Sequence, residues 1–206
     1  MSRLFLSILL AGLLLFCFSQ AKKNSGGLFN TADSLFLQAE HLAQLAETDE
    51  NKQESANTMY NAALTAFERF INSSPKAGND SLLFWARLKA GFAGYYLDSA
   101  KAAKTNYLAA ISLKQKLTGI PDSLLFTPYL YTGGIYYLQN QFDSALTFYK
   151  KAEHINDLYK SPLNESQRLY NRLGVMFYET GNYRQARNYF EKAITHKTKA
   201  IVICNP

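Results

Sequence analysis

Cysteine is almost missing from this chain. Its 206 residues include only Cys17 and Cys204. Cys17 lies in an N-terminal stretch expected to be removed, so no intrachain disulfide can form in the mature chain and packing must hold the fold. The small, disulfide-stapled secreted class is thereby excluded. Proline is also scarce, with five residues, most of them at breaks between helical segments. No run alternates with the period of two that marks a half-buried strand. No basic run exceeds two residues, which argues against a nucleic-acid surface despite the net charge of +6. The three histidines, His41, His154 and His196, are isolated. HExxH, CxxC and glycine-rich phosphate motifs are absent. The sequence therefore offers no catalytic set, no metal site and no cofactor site, and the expectation is a chain that is not an enzyme.

What is present starts with an apolar run from Leu4 to Phe18, preceded by Arg3 and followed by Ser19-Gln20-Ala21. At about 1.5 Å per residue the run reaches roughly 22 Å, short of the ~30 Å hydrocarbon core. Basic start, apolar middle and small residues at the end form the plan of a secretory signal, with cleavage expected after Ala21. An uncleaved anchor, or a lipid anchor at Cys17, is the lesser expectation, since Phe16 is bulky where a lipidation site needs a small residue. Cleavage removes one basic residue and no acidic one, leaving 21 basic and 16 acidic side chains. The expected location is the periplasm or the extracellular space. Residues 22–32 read as a polar linker and residues 199–206 as a tail.

Between them, from Asp33 to Thr198, the chain reads as helix after helix. Breaks are expected at residues 72–80, 119–122 and 161–164, where turn-forming residues cluster, with Asp122 and Asn164 as candidate N-caps. Asn-x-Ser sequons at Asn72, Asn79 and Asn164 fall in these breaks. Hairpins are expected over about 33–74, 81–118, 122–160 and 164–198. A spacing recurs inside them. From Gly174 the steps reach Phe177, Ala186, Phe190 and Ala193, with Tyr170 four residues before. From Gly133 the same steps reach Tyr136, Ala145, Tyr149 and Ala152, with Tyr129 before. From Gly91 they reach Ala103, Tyr107 and Ala110, with Gly94 and Arg87 where the other copies have aromatics. Ala63, Ala103, Ala145 and Ala186 stand 40, 42 and 41 residues apart. Such a period is the mark of a repeat architecture.

The residue types fit a stack of helical hairpins. Glycine and alanine fall where two helices cross closely, and the aromatics are expected to fill the space between one hairpin and the next. Asp98, Asn140 and Gly181 sit between the helices of each unit and tolerate turn geometry. One hairpin cannot cover its own apolar face, but stacked hairpins cover each other's.

With Tyr170, Leu173, Gly174, Phe177, Gly181, Ala186, Phe190 and Ala193 in place, the sequence resembles the tetratricopeptide repeat family. The ~40-residue period exceeds the family's usual length of about 34 and resembles exported bacterial variants. The resemblance implies an all-α, right-handed superhelical solenoid of about four antiparallel hairpins. It also implies a protein or peptide partner held along a concave face lined by the first helix of each hairpin.

A second stripe, turned by about 100° from the packing stripe, would line that face. Its members are Trp85, Leu88, Phe92 and Tyr95, then Thr127, Leu130, Gly134 and Tyr137, then Arg168, Asn171, Val175 and Tyr178. Arg172 follows Arg168 by one turn, and the two resemble part of a carboxylate clamp. Leu88, Phe92 and Tyr131 stand where the rest of that clamp would need Lys and Asn, which disfavours chaperone-tail binding. Two other classes of function are compatible with the sequence. One is the sensory front end of a longer signalling protein, because the last hairpin is followed by no polar capping helix. The other is a glycan-binding protein of nutrient uptake, using the aromatic stripe.

Overall fold

A computed structural model describes residues 26–74, 79–159, 163 and 165–204. The signal segment, Cys17 and Asn164 lie outside these residues. Every described element is helical. The order is α1 (26–46), α2 (Asn51–Ser73), α3 (Asp80–Tyr96), α4 (Ala100–Lys114), a 3-10 turn (Asp122–Leu125), α5 (Phe126–Leu138), α6 (Phe142–Asp157), α7 (Ser166–Glu179) and α8 (Tyr183–Cys204). No described helix is long and apolar enough to cross a membrane.

Two expected boundaries are corrected. The linker to residue 32 is helix from residue 26, because Phe29 packs edge-on against Phe70 at 5.5 Å and draws this segment into the core. The tail expected from residue 199 is the continuation of α8, which runs to Cys204. Lys197 to Cys204 contains neither Gly nor Pro to stop a helix.

The chain divides into two compact units, residues 1–113 and 114–206. In the first, α1, α2 and α3 share a core of Phe36, Tyr60, Phe67 and Phe70 with alanines from all three helices. Phe36 meets Tyr60 edge-on at 5.8 Å, and Tyr60 stacks on Tyr96 at 4.7 Å. An ion pair between Lys89 and Asp33 ties α3 to α1.

In the second unit, the 3-10 turn is held by Lys114, whose ammonium lies 2.6 Å from Asp122, and by the Ser123 N–H donating to the Tyr159 hydroxyl. Asp122 therefore forms an ion pair rather than the expected N-cap. Pro128, in the first turn of α5, sits where a missing N–H costs little. The connection from α6 to α7 is organised by buried Asn156. Its amide donates to the Tyr170 hydroxyl at 2.9 Å, and its carbonyl accepts from Ser166 and from the Leu163 N–H. Of the sequons, Asn72 belongs to α2 and Asn79 is buried.

The turns within the α3–α4, α5–α6 and α7–α8 hairpins use the expected residues. Asp98, Asn140 and Gly181 all have positive φ, at 53°, 58° and 77°, and these residue types tolerate that region best. Glu165, just before α7, also has positive φ, at 67°.

Candidate interaction faces

The repeated spacing proves to be one contact made three times. A Cβ placed on Gly91 would meet the Tyr107 ring at 2.5 Å, one on Gly133 would meet Tyr149 at 2.7 Å, and one on Gly174 would meet Phe190 at 2.6 Å. Each ring sits sixteen residues after its glycine, on the partner helix of the same hairpin. The expectation that these aromatics fill the space between hairpins is corrected accordingly: they lie within the hairpin, where the missing Cβ leaves room for a ring face. Ala103, Ala110, Ala145, Ala152, Ala186 and Ala193 are all buried, as close helix crossing requires.

A second contact set accompanies the first. Tyr136 stacks on Phe148 at 5.4 Å, and Phe148 also touches Tyr129 at 6.1 Å. In the next hairpin Phe177 stacks on Tyr189 at 5.4 Å with planes 4° apart, and Tyr189 stacks on Tyr170. Position +15 from the glycine thus bridges positions −4 and +3. Sequence reasoning passed over it, although Asn106, Phe148 and Tyr189 stand 42 and 41 residues apart and yield to the same counting. In the α3–α4 hairpin the three positions are Arg87, Asn106 and Gly94. There the Arg87 guanidinium donates to the Asn106 carbonyl oxygen at 2.8 Å, and the Asn106 amide donates to the Ala102 carbonyl. A Cβ on Gly94 would meet the Ala103 backbone nitrogen at 2.7 Å, which leaves no space for an aromatic.

The second stripe is not uniformly free. Leu88 and Leu130 are core residues, 3 % and 2 % exposed. Phe92 packs edge-on against Tyr107 at 5.6 Å, and half-buried Trp85 leans on buried Phe84. Half-buried Tyr95 meets Tyr96 edge-on. A helix buried over more than one face absorbs neighbouring stripes into the core, and α3 and α5 do so.

On α7 the stripe is open. Asn171, Arg172 and Tyr178 are exposed, and Tyr178 meets Tyr183 edge-on at 5.3 Å. Tyr137 of α5 donates to Glu179 at 2.6 Å, a bond that, ahead of burial, raises its pKa, while Arg172 lies close enough to oppose the shift. Arg168 differs from Arg172. It pairs with Glu165 at 2.9 Å, donates to the Tyr131 hydroxyl at 3.0 Å and lies over the Tyr131 ring. Tyr131 in turn donates to Glu165 at 2.8 Å. The two arginines of the anticipated clamp therefore separate. Arg168 holds the left-handed Glu165 in place, and Arg172 faces solvent beside Tyr137.

The opposite face, made by α6 and α8, was not anticipated. Lys150 lies over Tyr189 at 5.1 Å, Lys151 over Phe148 at 5.3 Å, and Lys192 over both Tyr170 and Tyr189 at 5.2 Å. Buried Glu153 accepts from Lys150 at 2.8 Å, and from Lys192 and the Tyr189 hydroxyl at 3.3 Å. Burial alone would raise the Glu153 pKa, but Lys150 and Lys192 outweigh it and hold the carboxyl below its ordinary range. No group of three or more His, Cys, Asp or Glu among the described residues could hold a metal ion.

Residues 167–199 match the family model described as "Tetratricopeptide repeat". Comparison with the curated proteins gives no match. The fold resembles that of BtubC (BKLC) from P. vanneervenii, with a TM-score of 0.57 and 15% identity over 84% of this chain and 74% of that one. It also resembles MamA, with a TM-score of 0.52 and 19% identity over 79% of this chain and 88% of that one. A MamA from Desulfovibrio magneticus RS-1, residues 41 to the end, gives 0.52 and 15% identity over 85% and 96%. At these identities the likeness concerns the fold alone. The α7–α8 hairpin is a tetratricopeptide repeat, carried in an all-α fold of antiparallel helix hairpins.

Proposed function

We propose that the protein is an exported, non-catalytic interaction module that holds a segment of a partner polypeptide on the α5–α7 face of its second unit. A tetratricopeptide repeat is a protein-binding scaffold, and the observation that carries the choice of face is the exposed set Asn171, Arg172 and Tyr178 on α7. These residues offer a charge, an amide and a phenol in one stretch, and Arg and Tyr are among the residue types that carry most of the binding energy at protein interfaces. Export is supported by Arg3, the apolar run Leu4–Phe18 and the small residues Ser19 and Ala21.

Affinity capture from the exporting compartment tests the reading. Arg172→Ala and Tyr178→Ala should each weaken capture of the partner about tenfold, whereas Arg168→Ala should act mainly through stability. Capture unchanged in the Arg172 and Tyr178 variants rules out this face. Mass spectrometry of the secreted chain should find Lys22 at the N-terminus.

A further inference from the structure

We propose that the α6–α8 face is a second docking site, for an acidic polypeptide segment in which carboxylates alternate with apolar side chains. The proposal rests on the interaction-module reading but uses a different face from Arg172 and Tyr178. Two adjoining hollows lie here, and Lys150 lines both. The larger, about 790 Å³, is lined by Tyr129, Leu146, Lys151, His154 and Ile155 among others. The smaller, about 260 Å³, is lined by Gln185, Asn188, Tyr189 and Lys192.

Charge complementarity fixes the chemistry of the occupant. Three ammonium groups converge on this face, and among the described residues Glu153 is the one carboxylate bonded to any of them, pairing with Lys150 and Lys192. Glu153 also shows that a carboxylate fits between Lys150 and Lys192, bound by both together with the Tyr189 hydroxyl. The lysines are held in advance by that carboxylate and by the rings beneath them, so a second carboxylate would find donors already oriented, which lowers the ordering cost of binding. Lys151, exposed and in no ion pair among the described residues, is the first donor a newcomer would meet.

The same geometry selects a peptide over a nucleic acid. Phe148 and Tyr189 are each stacked against a neighbouring ring and carry a lysine, so neither is open to a stacking base. Half-buried Leu146 and Tyr129 add apolar surface to the hollow that Lys150 and Lys151 line, which suits aliphatic side chains placed between carboxylates and does not suit a continuous phosphate chain.

The test uses the full chain and a fluorescein-labelled peptide of alternating Glu and Leu, read by fluorescence anisotropy. Binding should fall at least about tenfold when Gln replaces Glu and should weaken as salt rises. Lys151→Ala and Lys192→Ala should each weaken it about three- to tenfold, while Lys52→Ala, in the first unit, leaves it unchanged. Lys151→Glu provides the same test should Lys192→Ala lose its helical circular dichroism. The proposal is overturned if the Gln peptide binds as well as the Glu peptide, if a thymidine oligonucleotide binds more tightly, or if the lysine variants bind as the parent does. If Arg172→Ala alone abolishes peptide binding, the interaction-module reading stands and this second face does not.

Discussion

At Gly133 a single methyl group would lie 2.7 Å from the ring of Tyr149, a fully buried residue with nowhere to move. Alanine at a helix interior normally gains about 1 kcal/mol over glycine, but overpacking a filled core costs about 1–3 kcal/mol. The second effect wins here because the obstacle is a fixed ring. Gly133→Ala should therefore destabilise the protein by up to about 2 kcal/mol in urea unfolding. Gly174→Ala should cost less, since Phe190 is only half-buried and its ring can turn outward. A stabilised Gly133→Ala variant would mean that the ring yields, and with it the physical reason for the repeated glycine. This contact was half legible in the sequence. Counting found the glycine and the aromatic, but spacing alone cannot say whether a ring lies within its hairpin or beyond it.

Each hairpin element also carries a choice between stacking and hydrogen bonding. In α5–α6 and α7–α8 the −4, +15 and +3 positions form a run of rings. In α3–α4 the run is replaced by Arg87 and Asn106, with a glycine completing the set. Burial pushes the Arg87 guanidinium below its usual pKa, partly countered by Glu68, so the Asn106 carbonyl is accepting from a costly charge. Removing Arg87 leaves the buried Asn106 carbonyl unsatisfied, and removing Asn106 leaves a half-buried charge without its acceptor, at about 1–3 kcal/mol. Arg87→Ala and Asn106→Ala should each destabilise by about that much, and the double variant by clearly less than their sum. Additive losses in a double-mutant cycle would show that the two do not act as a unit. In the sequence, Arg87 looked only like a departure from the aromatic pattern. Its compensation at Asn106 was hidden because the +15 position had not been recognised. The α6–α8 lysines were hidden for a related reason: each reads singly as a solvated charge, and only folding sets them over rings from two hairpins.

On the scale of the whole molecule, the all-helical class and three of the turn residues were legible, because hydrophobic spacing and left-handed turns are local properties. The ends of α1 and α8 were not, since helix at residues 26–32 depends on Phe29 reaching Phe70 across the core. The exposure of the second stripe was not either, because Leu88 and Leu130 are buried by tertiary packing. The chain as a whole carries an excess of six basic charges, so protonating its carboxylates adds to an existing repulsion. Glu153 should dominate that response. It is buried, yet Lys150 and Lys192 keep it ionised below the ordinary carboxylate range. Burial also works against the charge of Lys150, but its bonds to Glu153 and Tyr189 outweigh this and raise its pKa. A carboxyl whose folded pKa is depressed contributes stability above its unfolded pKa and loses it as pH falls through the folded value. Urea midpoints measured from pH 7 downward should therefore hold steady until the ordinary carboxylate range and then drop. Glu153→Gln should be less stable at pH 7, and its midpoint should fall less steeply with acid. A variant that keeps the parent's full acid slope would place the responsible carboxylate elsewhere and reduce Glu153 to a packing residue.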